Sequence, residues 1–260
     1  MKKRLITILL IGLLLLQPIQ VLALTSSEAK QDWYDAKQAS RDAQQEYGDA
    51  KIAWATDKSE ENNQKVIDTG KDVLHRALDE AEAWLIWRNL EVEENPMIPE
   101  DLKQTIQDDV ESNLAKIDEL HIDVDEVENR FELGLVFLKI VGKYFELLTD
   151  VARNTGFVWV HIVSSYADTV EEYEAKIRES AQSLEDNEAI LDKLDKALDD
   201  LQSARTNIDN ALEEYDQVVI PGNPILKFAS GNQYLRIARN DLIAAQGSLR
   251  EAYRLLVGAE

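Results

Sequence analysis

The 260-residue chain contains no cysteine. That absence excludes disulfides, thiolate metal sites and a lipid anchor attached through a cysteine. Proline and glycine are scarce, at 5 and 10 residues, so few positions force a helix to stop. There is no serine–histidine–acid arrangement and no phosphate loop, and only 3 histidines are available for proton transfer or metal ligation. After the N-terminal segment, no stretch is free of charge over the ~20 residues that a membrane helix needs. Bases are few as well. Against 50 Asp and Glu stand 28 Lys and Arg, a net charge of −22, and such a surface repels nucleic acid and anionic lipid. These absences predict a chain that is not an enzyme, carries no cofactor, binds no nucleic acid and holds together by packing alone.

What is present begins with a leader pattern. Lys2, Lys3 and Arg4 precede Leu5 to Leu16, an uncharged run that is apolar apart from Thr7 and Gly12. Gln17 and Pro18 break the run, and Val21-Leu22-Ala23 suits a signal peptidase. Residues 1–23 therefore read as a signal peptide cleaved near Ala23, with an uncleaved anchor as the alternative. The mature chain is expected to be secreted or extracytoplasmic. Losing those bases takes the net charge from −22 to −25.

The remainder reads as helix. Pro96 and Pro99 mark one connection, and Pro221 and Pro224 another. Thr25-x-x-Glu28, Asp57-x-x-Glu60 and Asp123-x-x-Glu126 have capping-box spacing, and Ile122 and Val127 have the spacing of a hydrophobic staple. Asn154-Thr155-Gly156 reads as a stop or kink. Ala29, Trp33, Ala36, Ser40, Ala43, Tyr47, Ala50 and Trp54 follow a 4-3 spacing. So do Leu235, Ala238, Leu242, Ala245, Leu249, Ala252 and Leu256. An average of 3.5 keeps one seam facing a partner helix. Between Gly156 and Pro221 the spacing predicts one long helix, with a break near Glu185-Asp186-Asn187 as the alternative. Its leading column is Val163, Val170, Ile177, Leu184, Leu191, Leu198, Leu212 and Val219, and its partner column includes Leu194, Leu201, Ile208 and Tyr215. Alanines recur every seventh residue at Ala29/36/43/50, Ala197/204/211 and Ala238/245/252, which suits close helix approach. The Pro-Gly-Asn-Pro turn and opposite net charges pair the last two helices as antiparallel neighbours. The expected fold is all-α, an elongated antiparallel helical bundle with long coiled-coil helices. Residues 24–260 form a single domain with possible sub-units 24–95, 99–155 and 157–258.

The segment from Phe131 to Val163 stands apart. It is apolar around most of its circumference, with a narrow stripe of Glu132, Lys139, Lys143, Glu146, Asp150 and Arg153. Such a helix is either enclosed in a bundle or meets something else. Because it directly precedes long soluble helices, the organisation is similar to that of cytolysin-type helical pore formers. That similarity implies a membrane-active protein as the second functional reading. The first is a non-catalytic binding or structural component of the cell envelope or extracellular space, working through a protein partner or self-association. A third is a carboxylate/histidine metal-binding bundle. Asp72-x-x-His75 and Asp118-x-x-His121 place an acid and an imidazole one turn apart. The acid-dense run around Asp118, Asp123, Asp125 and Glu126 is the candidate cation site, although it lacks the glycine and final glutamate of an EF-hand loop. Trp84 and Trp87, on one turn, are the candidate surface-contact residues.

Overall fold

The computed structural model describes residues 24–259, so the expected leader at 1–23 lies outside the described residues. Six helices follow one another: α1 Ser26–Thr56, α2 Glu60–Glu93, α3 Glu100–Asp125, α4 Arg130–Ala181, α5 Glu188–Asp216 and α6 Pro224–Ala259. No strand occurs among the described residues. The proline clusters end helices where the sequence places them, between α2 and α3 and between α5 and α6.

Capping decides several boundaries. At α1, Thr25 and Glu28 form the expected box: the Glu28 N–H donates to the Thr25 hydroxyl at 3.3 Å, and the Thr25 N–H donates back to the Glu28 carboxylate at 3.0 Å. At α2 the cap is Ser59 rather than Asp57, because α1 runs to Thr56 and Asp57 serves the turn by accepting the Ser59 N–H at 3.1 Å. Asp123-x-x-Glu126 starts nothing. Leu120 and Val124 continue the buried side of α3, so that helix persists to Asp125. Ile122 is left exposed and forms no staple. The start of α4 belongs to Asn129, which accepts the N–H groups of Phe131 and Glu132 at 3.1 Å each.

Helix α4 organises the rest. Its 52 residues extend for about 78 Å at ~1.5 Å each, and it runs straight through Asn154-Thr155-Gly156, where the sequence predicted a stop. Gly156 is there for packing. A Cβ at this position would overlap ring carbons Cγ and Cδ1 of Tyr215, and one at Gly231 would stand 2.6 Å from Tyr215 Cε1. The Tyr215 side chain, fully buried, is thus clamped between α4 and α6. Its hydroxyl donates to Asn232 Oδ1 at 2.6 Å, and burial pushes its pKa up to about 12.

Two cores meet along α4. Leu133, Ile140 and Leu147 pack with α2 residues such as Leu78 and Leu85 and with α3 residues such as Ile117 and Val124. Val160, Ala167, Val170 and Ala181 pack with α5 and α6. The buried column Leu133, Ile140, Leu147, Asn154 repeats every seven residues, as does Val160, Ala167, Glu174, Ala181. The two columns are offset by one residue where the first core gives way to the second.

The single long helix expected from Gly156 to Pro221 is instead two. The chain turns at Gln182–Asn187, where the Asn187 side-chain amide donates to the Ala181 carbonyl at 3.0 Å. In α5 the buried side is Leu194, Leu201, Ile208 and Tyr215, flanked by Ala197, Ala204 and Ala211. Leu198 and Leu212, placed in the leading column by spacing, are exposed. With small alanines on one side of a heptad, the helix rolls onto its alanine edge to approach its neighbour, and the leucines on the other edge swing outward. Helix α6 buries its whole expected seam from Leu235 to Leu256. The α5–α6 hairpin is held on its flanks by Lys193–Glu251 at 2.6 Å and Lys227–Glu214 at 3.2 Å.

Candidate functional site

Helix α1 packs along α2, buries Ala29, Ser40, Ala43 and Ala50, and begins beside its end, where the Ser26 N–H donates to Glu94 at 2.7 Å. These hydrogen bonds from Ser26 hold the Glu94 carboxyl below the usual range. Because α1 lies against α2, it does not run along α4 and meets it only near its start. Among the described residues, α2 and α3 are the helices that pack along the first half of α4.

The other side is apolar and uncovered. Phe131, Leu135, Phe137, Leu138, Val141, Phe145 and Leu148 are all exposed, with Phe131 at 75% and Leu138 at 65%. Part of the charged stripe of this segment turns to α3, although Lys143 and Glu146 pair with each other within α4. Lys139 donates to Asp123 of α3, and Arg153 donates to Asp109 of α3 at 2.7 Å. Charges therefore fasten α4 to its neighbour while phenylalanines and leucines face out. Seven large apolar side chains exposed on one continuous face are more than the singly scattered ones that are ordinary on a monomer. Gly134 and Gly142 also lie on this face, with no atom within 4 Å of where a Cβ would be. They leave shallow gaps between the larger side chains.

A second feature is an open groove of about 570 Å³ between α4 and α6, lined by Tyr166, Tyr173, Tyr253, Lys176 and Arg250. Tyr173 and Tyr253 are more than half exposed along it.

The tryptophans named from the sequence are not free surface groups. Trp87 is half-buried and stacks on Trp33 at 4.9 Å, with Lys30 over its ring. Trp84 is half-buried against the first core. Trp54 carries Lys58 on its ring and the Arg130 guanidinium at 3.7 Å, which joins the end of α1 to the start of α4.

The acidic run also disperses, because α3 continues to Asp125 and its side chains splay around the helix. Asp118 is exposed, Asp123 pairs with Lys139, Asp125 accepts from His75, and Glu126 caps α3 with its backbone N–H. The carboxylates of the two acid-x-x-histidine pairs do not meet imidazoles either: Asp72 pairs with Arg76 at 3.5 Å. The histidines nevertheless come together. His75 of α2 and His121 of α3 meet edge to edge in nearly parallel rings, with centroids 5.0 Å apart and Nδ1 atoms 2.7 Å apart. His75 Nε2 lies 3.1 Å from Asp125 Oδ1, and His121 Nε2 lies 3.6 Å from Asp79 Oδ1. The signal was in the sequence but downstream of each histidine. Leu74-His75-x-x-Leu78-Asp79-Glu80 and Leu120-His121-x-x-Val124-Asp125-Glu126 share one pattern. Two copies on antiparallel helices bring each histidine beside the other's aspartate. His161, the third histidine, meets the Met97 carbonyl at 2.9 Å.

No family model, no curated protein and no solved structure matches the chain.

Proposed function

We propose that this is an exported, non-catalytic helical protein of the cell envelope or extracellular space, built on coiled-coil packing, which binds an apolar helix of another protein along the outer face of α4. The uncovered face from Phe131 to Leu148 carries this reading. A ridge of phenylalanines and leucines interrupted by Gly134 and Gly142 suits a helix, whose own side chains fill the gaps. The net charge of −22 disfavours anionic lipid as the occupant. No helix among the described residues is long and apolar enough to cross a membrane.

A photo-crosslinking residue in place of Leu138, introduced in the producing cell, tests the proposal against the same residue in place of exposed Gln104. A discrete protein adduct from position 138 and none from 104 is the expected outcome. An adduct of twice the chain mass would make the partner a second copy.

The membrane-active reading draws on the same apolar face, which at 18 residues is about 27 Å long. Dye release from vesicles distinguishes the two. Leakage that Leu138→Glu abolishes, with no protein adduct, would replace the partner reading with this one.

A further inference from the structure

We propose that Asp79, Glu82 and His121 form a binding site for one divalent transition-metal ion of the zinc type, and that His75 and Asp125 orient its imidazole ligand. Asp79, Glu82 and His121 offer one ligand atom each, all within 4.8 Å of one another, and they are the group of this kind among the described residues. All are half-buried, so an ion can reach them from solvent.

The proton positions supply the second argument. His75 Nε2 faces Asp125 Oδ1 at 3.1 Å; a carboxylate only accepts, so this nitrogen carries the proton. In a neutral imidazole that leaves His75 Nδ1 as an acceptor. The contact of 2.7 Å to His121 Nδ1 then requires His121 to donate from Nδ1. With His121 neutral as well, the chain of bonds leaves its Nε2 as a bare lone pair. That lone pair points to Asp79 Oδ1 at 3.6 Å, with the Glu82 carboxylate alongside. A lone pair and two carboxylates facing one another repel, and a cation between them removes the repulsion. This is the arrangement in which a metal-ligating histidine is fixed by a hydrogen bond from its other nitrogen, here relayed through a second histidine to a carboxylate.

The ligand types restrict the ion. One imidazole and two carboxylates neutralise a divalent charge and suit zinc better than calcium, which prefers six or more oxygens. Arg76 holds Asp79 Oδ2 at 3.3 Å, leaving Oδ1 as the single ligand atom from that residue. Ligand atoms around tetrahedral zinc stand about 3.3 Å apart, so the carboxylates close by roughly 1 Å, with water in the fourth position. Asp79 and Glu82 lie on α2 and His121 on α3, so the ion would tie the middle of α2 to the C-terminal turn of α3.

The test is titration of the purified protein with zinc, followed by calorimetry and by ¹⁵N shifts of the histidine rings. One zinc per chain is expected, with the His121 Nε2 resonance moving and the His75 Nε2 resonance still that of an N–H. Asp79→Asn and Glu82→Gln each weaken binding by at least about tenfold, and His75→Leu weakens it by about tenfold while His121 loses its fixed tautomer. Asp72→Asn and Asp118→Asn change nothing, and calcium at the same concentration does not compete. Circular dichroism confirms that each variant is folded. Two results overturn the proposal: zinc affinity unchanged in Glu82→Gln, or no stoichiometric zinc while His121 carries protons on both nitrogens at neutral pH. In the latter case a proton, not a metal, occupies the gap.

Discussion

Replacing Gly156 with alanine adds one methyl group to the middle of α4. In an uncrowded helix this change stabilises by about 0.5–1 kcal/mol, because alanine loses less backbone entropy on folding. At Gly156 the methyl would overlap Cγ and Cδ1 of Tyr215. Those atoms cannot swing away as a side-chain tip would: the ring is fully buried, and its far edge is pinned by Gly231 and by the hydroxyl's bond to Asn232. Overpacking of this kind costs about 1–3 kcal/mol. The net loss is then about 0–2.5 kcal/mol, which for a chain of this size lowers the melting midpoint by up to roughly 10 °C. Gly48→Ala in α1, where nothing lies within 4 Å of the new carbon, serves as the control and raises the midpoint. In a Tyr215→Leu background the penalty at Gly156 disappears, so a double-mutant cycle reads a coupling of about 1 kcal/mol or more. Calorimetric melting of the four proteins is sufficient. Should Gly156→Ala stabilise as Gly48→Ala does, Tyr215 does not sit between α4 and α6, and the continuity of α4 through residue 156 loses its explanation.

Further expectations follow from other parts of the fold. Tyr215 keeps its proton to about pH 12 when folded, against about 10 when unfolded. The unfolded chain thus releases the proton first, and stability falls between those values; Tyr215→Phe removes that part of the alkaline slope in denaturant titrations. Asn129→Ala removes the cap of α4 and costs about 1 kcal/mol in chemical denaturation. If Asp57→Ala costs as much as Ser59→Ala, the cap of α2 is misplaced, because only Ser59 accepts the Asn62 N–H. On the two sides of α4, Ile140→Ala costs about 2–5 kcal/mol, while Leu138→Glu shifts stability by no more than about 0.5 kcal/mol and eliminates partner crosslinking.

Where apolar and small residues alternate strictly and nothing competes, spacing alone located the packed side of a helix, as in α6 from Leu235 to Leu256. Where two columns both looked apolar, it did not. In α5 the choice between Leu198 and Leu201 depended on which flank carried the alanines, because close approach rather than leucine count sets the roll of a helix. Glycine was misread for a related reason. Gly156 has no special backbone conformation; it answers to Tyr215, 59 residues later in the chain, and a contact that remote leaves no mark in a local window. The same holds for the histidines. The pattern shared by residues 74–80 and 120–126 was legible, yet it acquires chemical meaning only when α2 and α3 run antiparallel and in one register.

The apolar segment of α4 shows how these limits combine. Its hydrophobicity was visible, and so was its charged stripe, and the ordinary inference is that the stripe faces water. Here Lys139 and Arg153 of the stripe reach α3 because α3 supplies Asp123 and Asp109 at the matching height. A helix has one circumference to divide among its neighbours. Once Lys139 and Arg153 are committed to α3, and Leu133, Ile140 and Leu147 to the core, Phe131, Leu135, Leu138 and Phe145 have only the outward direction left. α1, the remaining helix of this half, is held against α2 by the stacking of Trp33 on Trp87 and by its own alanine seam. The face therefore stays uncovered because the charges and the alanines are satisfied elsewhere, and this packing is the ground on which an intermolecular partner is proposed.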